Sequence, residues 1–244
     1  MFYKTNQIEF TAPKIIVDHC KEFYPEPALI NTPEWYKKLK HDKDRKTIKG
    51  CIPFLDALTA GYILKVATDL IIKRKGDVSE VKYAVNQGSL FPPLNINTVK
   101  NHTDHPHYQL GESPMIDKNS FPAFLKIYNP WIIKTPPGYS CLFTAPMNNK
   151  EDRFEAIAGI VDTDLFPGQI NFPIVLNGDK YRGDFEHLVK KGTPIAQCIP
   201  FKREEWKMKI TADDGYDIDK FLNIWNTSFV NSYKEKIWRK KKWR

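Results

Sequence analysis

The residues of this chain that could do chemistry fall into a few short runs. In Gly159-Ile-Val-Asp162-Thr-Asp164-Leu-Phe-Pro-Gly168, two carboxylates stand two residues apart, between an apolar run and a glycine-closed turn. Alternate side chains of an extended chain share a face, so one carboxylate could activate a water while the other orients a polar group or a cation. The same aspartates could instead cap a β-turn through their own backbone, which requires no ligand. His102, His105 and His107 are three of the six histidines and lie within six residues, with Asp104 among them. Imidazole and carboxylate at this density could hold a divalent metal or titrate at about pH 6. A solvated loop is the alternative, because neighbouring loop residues seldom converge on one ion.

The run Trp238-Arg239-Lys240-Lys241-Lys242-Trp243-Arg244 interleaves cations with indoles, the combination that contacts phosphates and stacks on bases. Its alternative is a helix end whose cations complement the helix dipole or an acidic neighbouring subunit. Residues 37–49 are equally basic but carry no aromatics, as expected of a solvated face. Cys20, Cys51, Cys141 and Cys198 form no C-x-x-C pair, so reduced, buried thiols are expected rather than a zinc knuckle or a dithiol redox motif. No P-loop, dinucleotide, nucleophile-elbow or H-E-x-x-H signature occurs, which removes the commonest nucleotide and hydrolase classes.

These runs need elements to position them. With 244 residues, 41% hydrophobic and 13% aromatic, the chain can bury a sizeable core, and disorder is excluded. No run approaches the roughly 18 apolar residues of a membrane span, and MFYKTNQIEF lacks the apolar centre of a signal peptide. The net charge is +8, but residues 37–49 contribute +5 and residues 233–244 contribute +6, so the rest carries −3. The body is therefore mildly acidic, and charge says little about its pockets.

Eighteen prolines recur between short β-branched and aromatic runs, which predicts a mainly β fold. Residues 7–17 read as a first strand. Thr32-Pro33-Glu34 reads as the start of a short helix, with the threonine as N-cap. The apolar run 51–76 reads as two strands around Gly61, and residues 81–85 as a further strand. Residues 86–122 form a long excursion, and strands return at 124–133, 136–146, 154–160, 169–176 and 194–202. Between 217 and 237, Ile218, Phe221, Leu222, Trp225, Phe229, Tyr233 and Ile237 recur at three- and four-residue steps, the stripe of an amphipathic helix. Its start is rich in aspartate and its end is basic, as the helix dipole favours.

Four segments stand in a telling order: Thr59-Ala-Gly61-Tyr62, then Pro136-Pro-Gly138-Tyr139, then Gly159-Ile-Val-Asp162-Thr-Asp164, then Gly192-Thr-Pro-Ile-Ala-Gln197. In this order they resemble the motifs of the dUTPase and dCTP deaminase superfamily, over roughly residues 51–202. The resemblance implies a β-clip fold, usually a trimer with nucleotide sites between subunits. It implies that Asp162 is the water-activating acid, that Gln197 helps hold phosphate, and that Gly138 and Gly168 are turn glycines. It would also place Asp164, Asn148 and Asn149 at the nucleotide.

The departures from that pattern cluster on its catalytic parts. Ile63 stands at an aspartate position, Ala145-Pro-Met-Asn148-Asn149 replaces R-S-S, and Leu165 replaces a tyrosine. No glycine-rich C-terminal arm follows. Without its cationic clamp a triphosphate site loses the charge-assisted bonds on which hydrolysis relies. The whole chain, from PEWYKKL to KKKWR, also resembles a family of marine phage and bacterial proteins, which implies no activity.

The expectation is therefore a distorted β-clip barrel spanning 51–210, with an extension at 1–50 and a helix and basic tail at 211–244. Its function would be that of a non-enzymatic, homo-oligomeric structural or binding protein of phage type with a degenerate nucleotide site, in host cytoplasm or a virion. Trimeric self-association, other phage structural proteins as partners, and no membrane follow from it. The alternatives are an active nucleotide pyrophosphatase or deaminase using Asp162, with Mg²⁺ as its cofactor, and nucleic-acid binding through the tail.

Overall fold

The computed structural model describes residues 6–42, 44–75, 78–83, 104–118, 123–149, 151–177, 183–212, 215–226 and 233–244. In chain order its strands are β1 Glu9–Thr11, β2 Glu26–Pro27, β3 Tyr62–Lys65, β4 Leu70–Lys75, β5 Val78–Tyr83, β6 Asp104–Pro106 and β7 Ala123–Ile127. Then follow β8 Ile132–Lys134, β9 Tyr139–Thr144, β10 Phe154–Ala156, β11 Gly159–Val161, β12 Phe172–Leu176, β13 Phe185–Val189 and β14 Pro194–Lys202. The fold is mainly β, and every strand pairing among the described residues is antiparallel.

The largest sheet runs β11-β9-β14-β3-β2; a second runs β10-β12-β7-β6, a third β13-β4-β5, and β1 pairs with β8. Among the described residues the sheets are open, so the expected barrel does not close. β14 is the centre of the largest sheet, and Ile195, Ala196, Gln197 and Cys198 are all fully buried within it. One core joins the sheets. Leu64, Cys141, Phe143 and Cys198 meet Phe172, Ile174 and Leu176 of the second sheet and Leu70, Ile72 and Val189 of the third. Phe143 and Phe172 hold their rings 5.7 Å apart across that junction. The N-terminal segment contributes to this core too: Ile16, Cys20 and Phe23 lie in it, β1 pairs with β8, and β2 extends the largest sheet.

Several local expectations need correction. The first strand is only β1, and a helix Lys14–His19 takes the rest of 7–17 because Ile16 docks on the core. The helix Glu34–Lys38 forms, but its N-cap is Pro33, and the Thr32 hydroxyl donates instead to the Leu29 carbonyl at 2.6 Å. The run 51–76 opens as a helix, Ile52–Thr59, rather than a strand. Proline sits in its first turn, where it lacks no needed N–H, and burial of Ile52 and Leu58 overrides the β preference of the run. Gly61 then turns the chain into β3 with φ +64.

At the other end, the helix covers Tyr216–Asn226, and a separate π-helical turn covers Tyr233–Ile237. Ile218 and Leu222 of its apolar stripe are exposed rather than packed on the body. Residues 86–103 and 119–122 of the excursion lie outside the described residues, and between them stand β6, a 3-10 turn His107–Leu110 and a helix Met115–Lys118.

Candidate functional site

The four motif segments, far apart in sequence, become neighbours in one sheet. β11 pairs with β9, β9 with β14 and β14 with β3, so that Gly159 faces Phe143, Phe143 faces Cys198, and Cys198 faces Tyr62. The ends of these strands gather Asp162, Asp164, Gly138 and Ser140 on one side and Gln197 on the other.

Asp162 and Asp164 do project together, and what lies between them is Arg203, the residue just past β14. The Arg203 guanidinium donates to both oxygens of Asp164, at 2.8 and 2.5 Å, and lies 3.3 Å from Oδ1 of Asp162. Gly138, at φ +83, adds its backbone N–H to Asp164 Oδ2 at 2.8 Å, and the Ser140 hydroxyl donates to Asp162 Oδ1 at 2.6 Å. The Arg203 guanidinium, with help from the Gly138 N–H, pushes the Asp164 carboxyl down to about 2. Asp162 is the more open of the two, its side chain 56% exposed against 5% for Asp164.

Beneath the turn, Thr163 is fully buried; its hydroxyl meets that of Thr135 at 2.7 Å and donates to the Cys141 thiol at 3.3 Å. Leu165 and Phe166 point outward, so no apolar side chain of the turn fills the site; the guanidinium does. Sequence reasoning passed over Arg203, Ser140, Thr135 and Thr163. The available signal was a cation one residue beyond a motif strand, whose closeness to the aspartates depends on pairing between β14, β9 and β11.

Gln197 is fully buried, and its amide is committed within the protein. Nε2 donates to the carbonyls of Ala57 and Ala60, at 2.9 and 2.6 Å, and Oε1 accepts from the Met147 N–H at 2.8 Å. Both N–H groups are thus spent on the end of the helix Ile52–Thr59, the oxygen holds the 145–149 loop, and no N–H remains for a phosphate. Asn148 adopts φ 59 and donates its amide to the Phe54 carbonyl at 3.3 Å, closing the same loop against the same helix. Asn149 continues that turn through a backbone N–H to the Pro146 carbonyl. Gly168 packs beneath the Phe166 ring. Of the expected phosphate ligands, then, Gln197 and Asn148 serve as internal braces.

Among the described residues no three His, Cys, Asp or Glu side chains converge on a possible metal position. Asp104 and His105 lie on β6 and His107 opens the following 3-10 turn, while His102 lies outside the described residues. The His105 ring pairs with the Gln109 amide at 2.5 Å. The cysteines are free thiols, and Cys20, Cys141 and Cys198 are buried, as expected. Burial pushes the Cys198 thiol well up, which keeps it protonated and inert.

The basic tail is neither a frayed helix end nor free. The Trp238 indole N–H donates to both oxygens of Asp56, at 3.1 and 2.9 Å, and Lys241 reaches the same carboxylate at 2.5 Å. Further on, the Tyr62 hydroxyl donates to the Arg244 carbonyl at 3.2 Å, and the Trp243 ring sits edge-on to Tyr62, 6.2 Å away. Between the sheet and this tail, residues 203–212 run without turn or bend, with Trp206, Met208 and Ile210 more than 80% exposed. No helix among the described residues is long and apolar enough to cross a membrane. The chain matches no family model, no curated protein and no solved structure.

Proposed function

We propose that this chain is a non-catalytic, self-associating building block of dUTPase-like, β-clip type, in which the nucleotide site has become a structural knot; a virion is one assembly it would suit. The observation that carries the proposal is Arg203. It occupies the space between Asp162 and Asp164 that a sugar and a water would need, and it neutralises the acid that would activate that water. The internal use of Gln197 and Asn148 points the same way, since the amides expected to hold a triphosphate there are bonded to backbone carbonyls instead.

Self-association draws support from the arm at 203–212. Three large apolar side chains alternate along it and face water, an apolar stripe on the order of a few hundred Å². Arg203 is pinned at its root and no turn follows, so the arm does not double back onto its own sheet. β11 ends the largest sheet and exposes Ile160, and Leu165 is exposed on the turn beyond it, so a second copy offers both an open strand edge and an apolar surface.

The test is twofold. Purified protein should show no turnover of dUTP or dCTP with Mg²⁺, and light scattering should give a mass that is a multiple of 28.4 kDa. Turnover abolished by Asp162→Ala would overturn the non-catalytic half, and a monomer at micromolar concentration would overturn the other. The enzymatic alternative rests on the openness of Asp162, whose second oxygen would become a usable base once Arg203 swings away, with Mg²⁺ then serving the phosphates.

A further inference from the structure

The tail folds back to enclose a cleft of about 700 Å³, within the roughly 300–1,000 Å³ of small-ligand sites. One wall is apolar: Leu29, Leu55, Ala57 and Ala60. Trp238 and Trp243 form the other wall, both half-buried, so each leaves part of its indole open to the cleft. A second cleft of about 410 Å³ lies beside Tyr62 and Tyr139 and shares Lys242 and Trp243 with the first, so the concave surface is elongated and passes Trp243 on both sides.

The charges along this surface are distributed in a particular way. Lys241 is spent on Asp56, whereas Lys240, Lys242 and Arg244 line the cleft without an acidic partner among the described residues. They stand at alternate positions of a non-helical segment. Lys241 and Trp243 between them line the same cleft, so residues 240–244 run along it with their unpaired cations spaced by one residue. A single small anion would leave most of such a row unpaired, while a chain of phosphates would meet each cation in turn. The segment is also held in place beforehand. Asp56 anchors Trp238 and Lys241, Tyr62 anchors Trp243 and Arg244, and the wall carbonyls at Ala57 and Ala60 are clamped by buried Gln197. Little order remains to be imposed by a ligand.

We infer that this surface binds single-stranded nucleic acid, with phosphates along Lys240, Lys242 and Arg244 and a base lodged in the cleft against an indole. Single strands suit it because unpaired bases can enter a cleft and stack on aromatic faces, and a duplex keeps its bases inside. Asp162, Asp164 and Arg203 line neither cleft, so the inference does not rest on the function proposed above.

The experiment is fluorescence anisotropy of a labelled 20-mer oligothymidylate with the full chain, from about 50 to 200 mM NaCl. Binding that weakens steeply with salt is expected. Lys240→Gln with Lys242→Gln should weaken it at least tenfold and flatten the log–log salt slope by about 1.4, since each lost phosphate contact removes about 0.7. Trp243→Ala should weaken binding comparably with the salt slope unchanged, because it removes stacking and no charge. Circular dichroism melts should confirm that these surface variants remain folded. Absence of binding at 50 mM salt would overturn the inference. So would equal affinity for duplex DNA, competition by thymidine monophosphate at the same concentration as the oligonucleotide, or binding lost through Lys38→Gln with Lys40→Gln and retained in the tail variants.

Discussion

Arg203 shows how one side chain converts a catalytic-looking pair into a brace. Its two donors and the Gly138 N–H hold Asp164 ionised, with its pKa down at about 2. An unfolded aspartate titrates at about 3.9, so the folded state binds the proton more weakly. The stabilisation is present in full above about pH 4 and is lost as the pH falls from there towards 2. Asp164→Asn should flatten the dependence of melting temperature on pH across that window and leave the dependence above pH 5 unchanged. Gln197 is a stricter case, because its partners are buried with it. Gln197→Leu leaves two carbonyls and one N–H without partners and should cost about 3 kcal/mol or more, lowering Tm by roughly 6 to 12 °C in thermal melts. The aspartates stand out by their spacing, and Gln197 by its place in the motif order. The binding of the aspartates to Arg203 and of Gln197 to the carbonyls of Ala57 and Ala60 is not legible there, since those partners lie about 40 and about 140 residues away in sequence.

At the scale of elements, the run 51–76 illustrates a balance that local patterning reads only in part. Its β-branched residues do form β3 and β4, but Ile52–Thr59 forms a helix because Ile52 and Leu58 find a place to bury. Gly61 is the hinge between them. It adopts φ +64, and a Cβ there would lie 2.0 Å from the Cys198 carbonyl oxygen on β14. Gly61→Ala combines left-handed strain with a backbone clash and should cost about 3 kcal/mol, measurable by urea unfolding. The β14 strand, in contrast, spans the residues its composition predicts, because an apolar run bounded by a glycine turn and charged residues suits the middle of a sheet. The C-terminal helix is legible in its periodicity, and the exposure of Ile218 and Leu222 on it is not, for periodicity reports an apolar face without reporting what covers it.

For the molecule as a whole, apolar exposure collects beyond β14: Trp206, Met208 and Ile210 on the arm, then Ile218 and Leu222 on the helix. In a self-associating protein these become interface. Trp206→Glu with Ile210→Glu should therefore reduce the mass measured by light scattering to 28.4 kDa without lowering the helix and sheet signal in circular dichroism. An unchanged mass would remove the arm from the interface.

Composition by itself determined that the chain is mainly β with an acidic body, and that its basicity resides in residues 37–49 and 233–244, because burial preference and charge are properties of residues counted along the chain. Motif order set Asp162, Asp164 and Gln197 on strands expected to share one site, and the sheet joins those strands but separates Gln197 from the aspartates. Only the tertiary structure decided what they do. The pairing of β11, β9, β14 and β3 brings Arg203 onto the aspartates and a helix end onto Gln197, and the return of the tail onto Asp56 and Tyr62 turns a row of charges into a wall of a cleft. Such contacts cross long stretches of chain, and their partners are selected by which surfaces the core leaves adjacent, a property that no local run of residues contains.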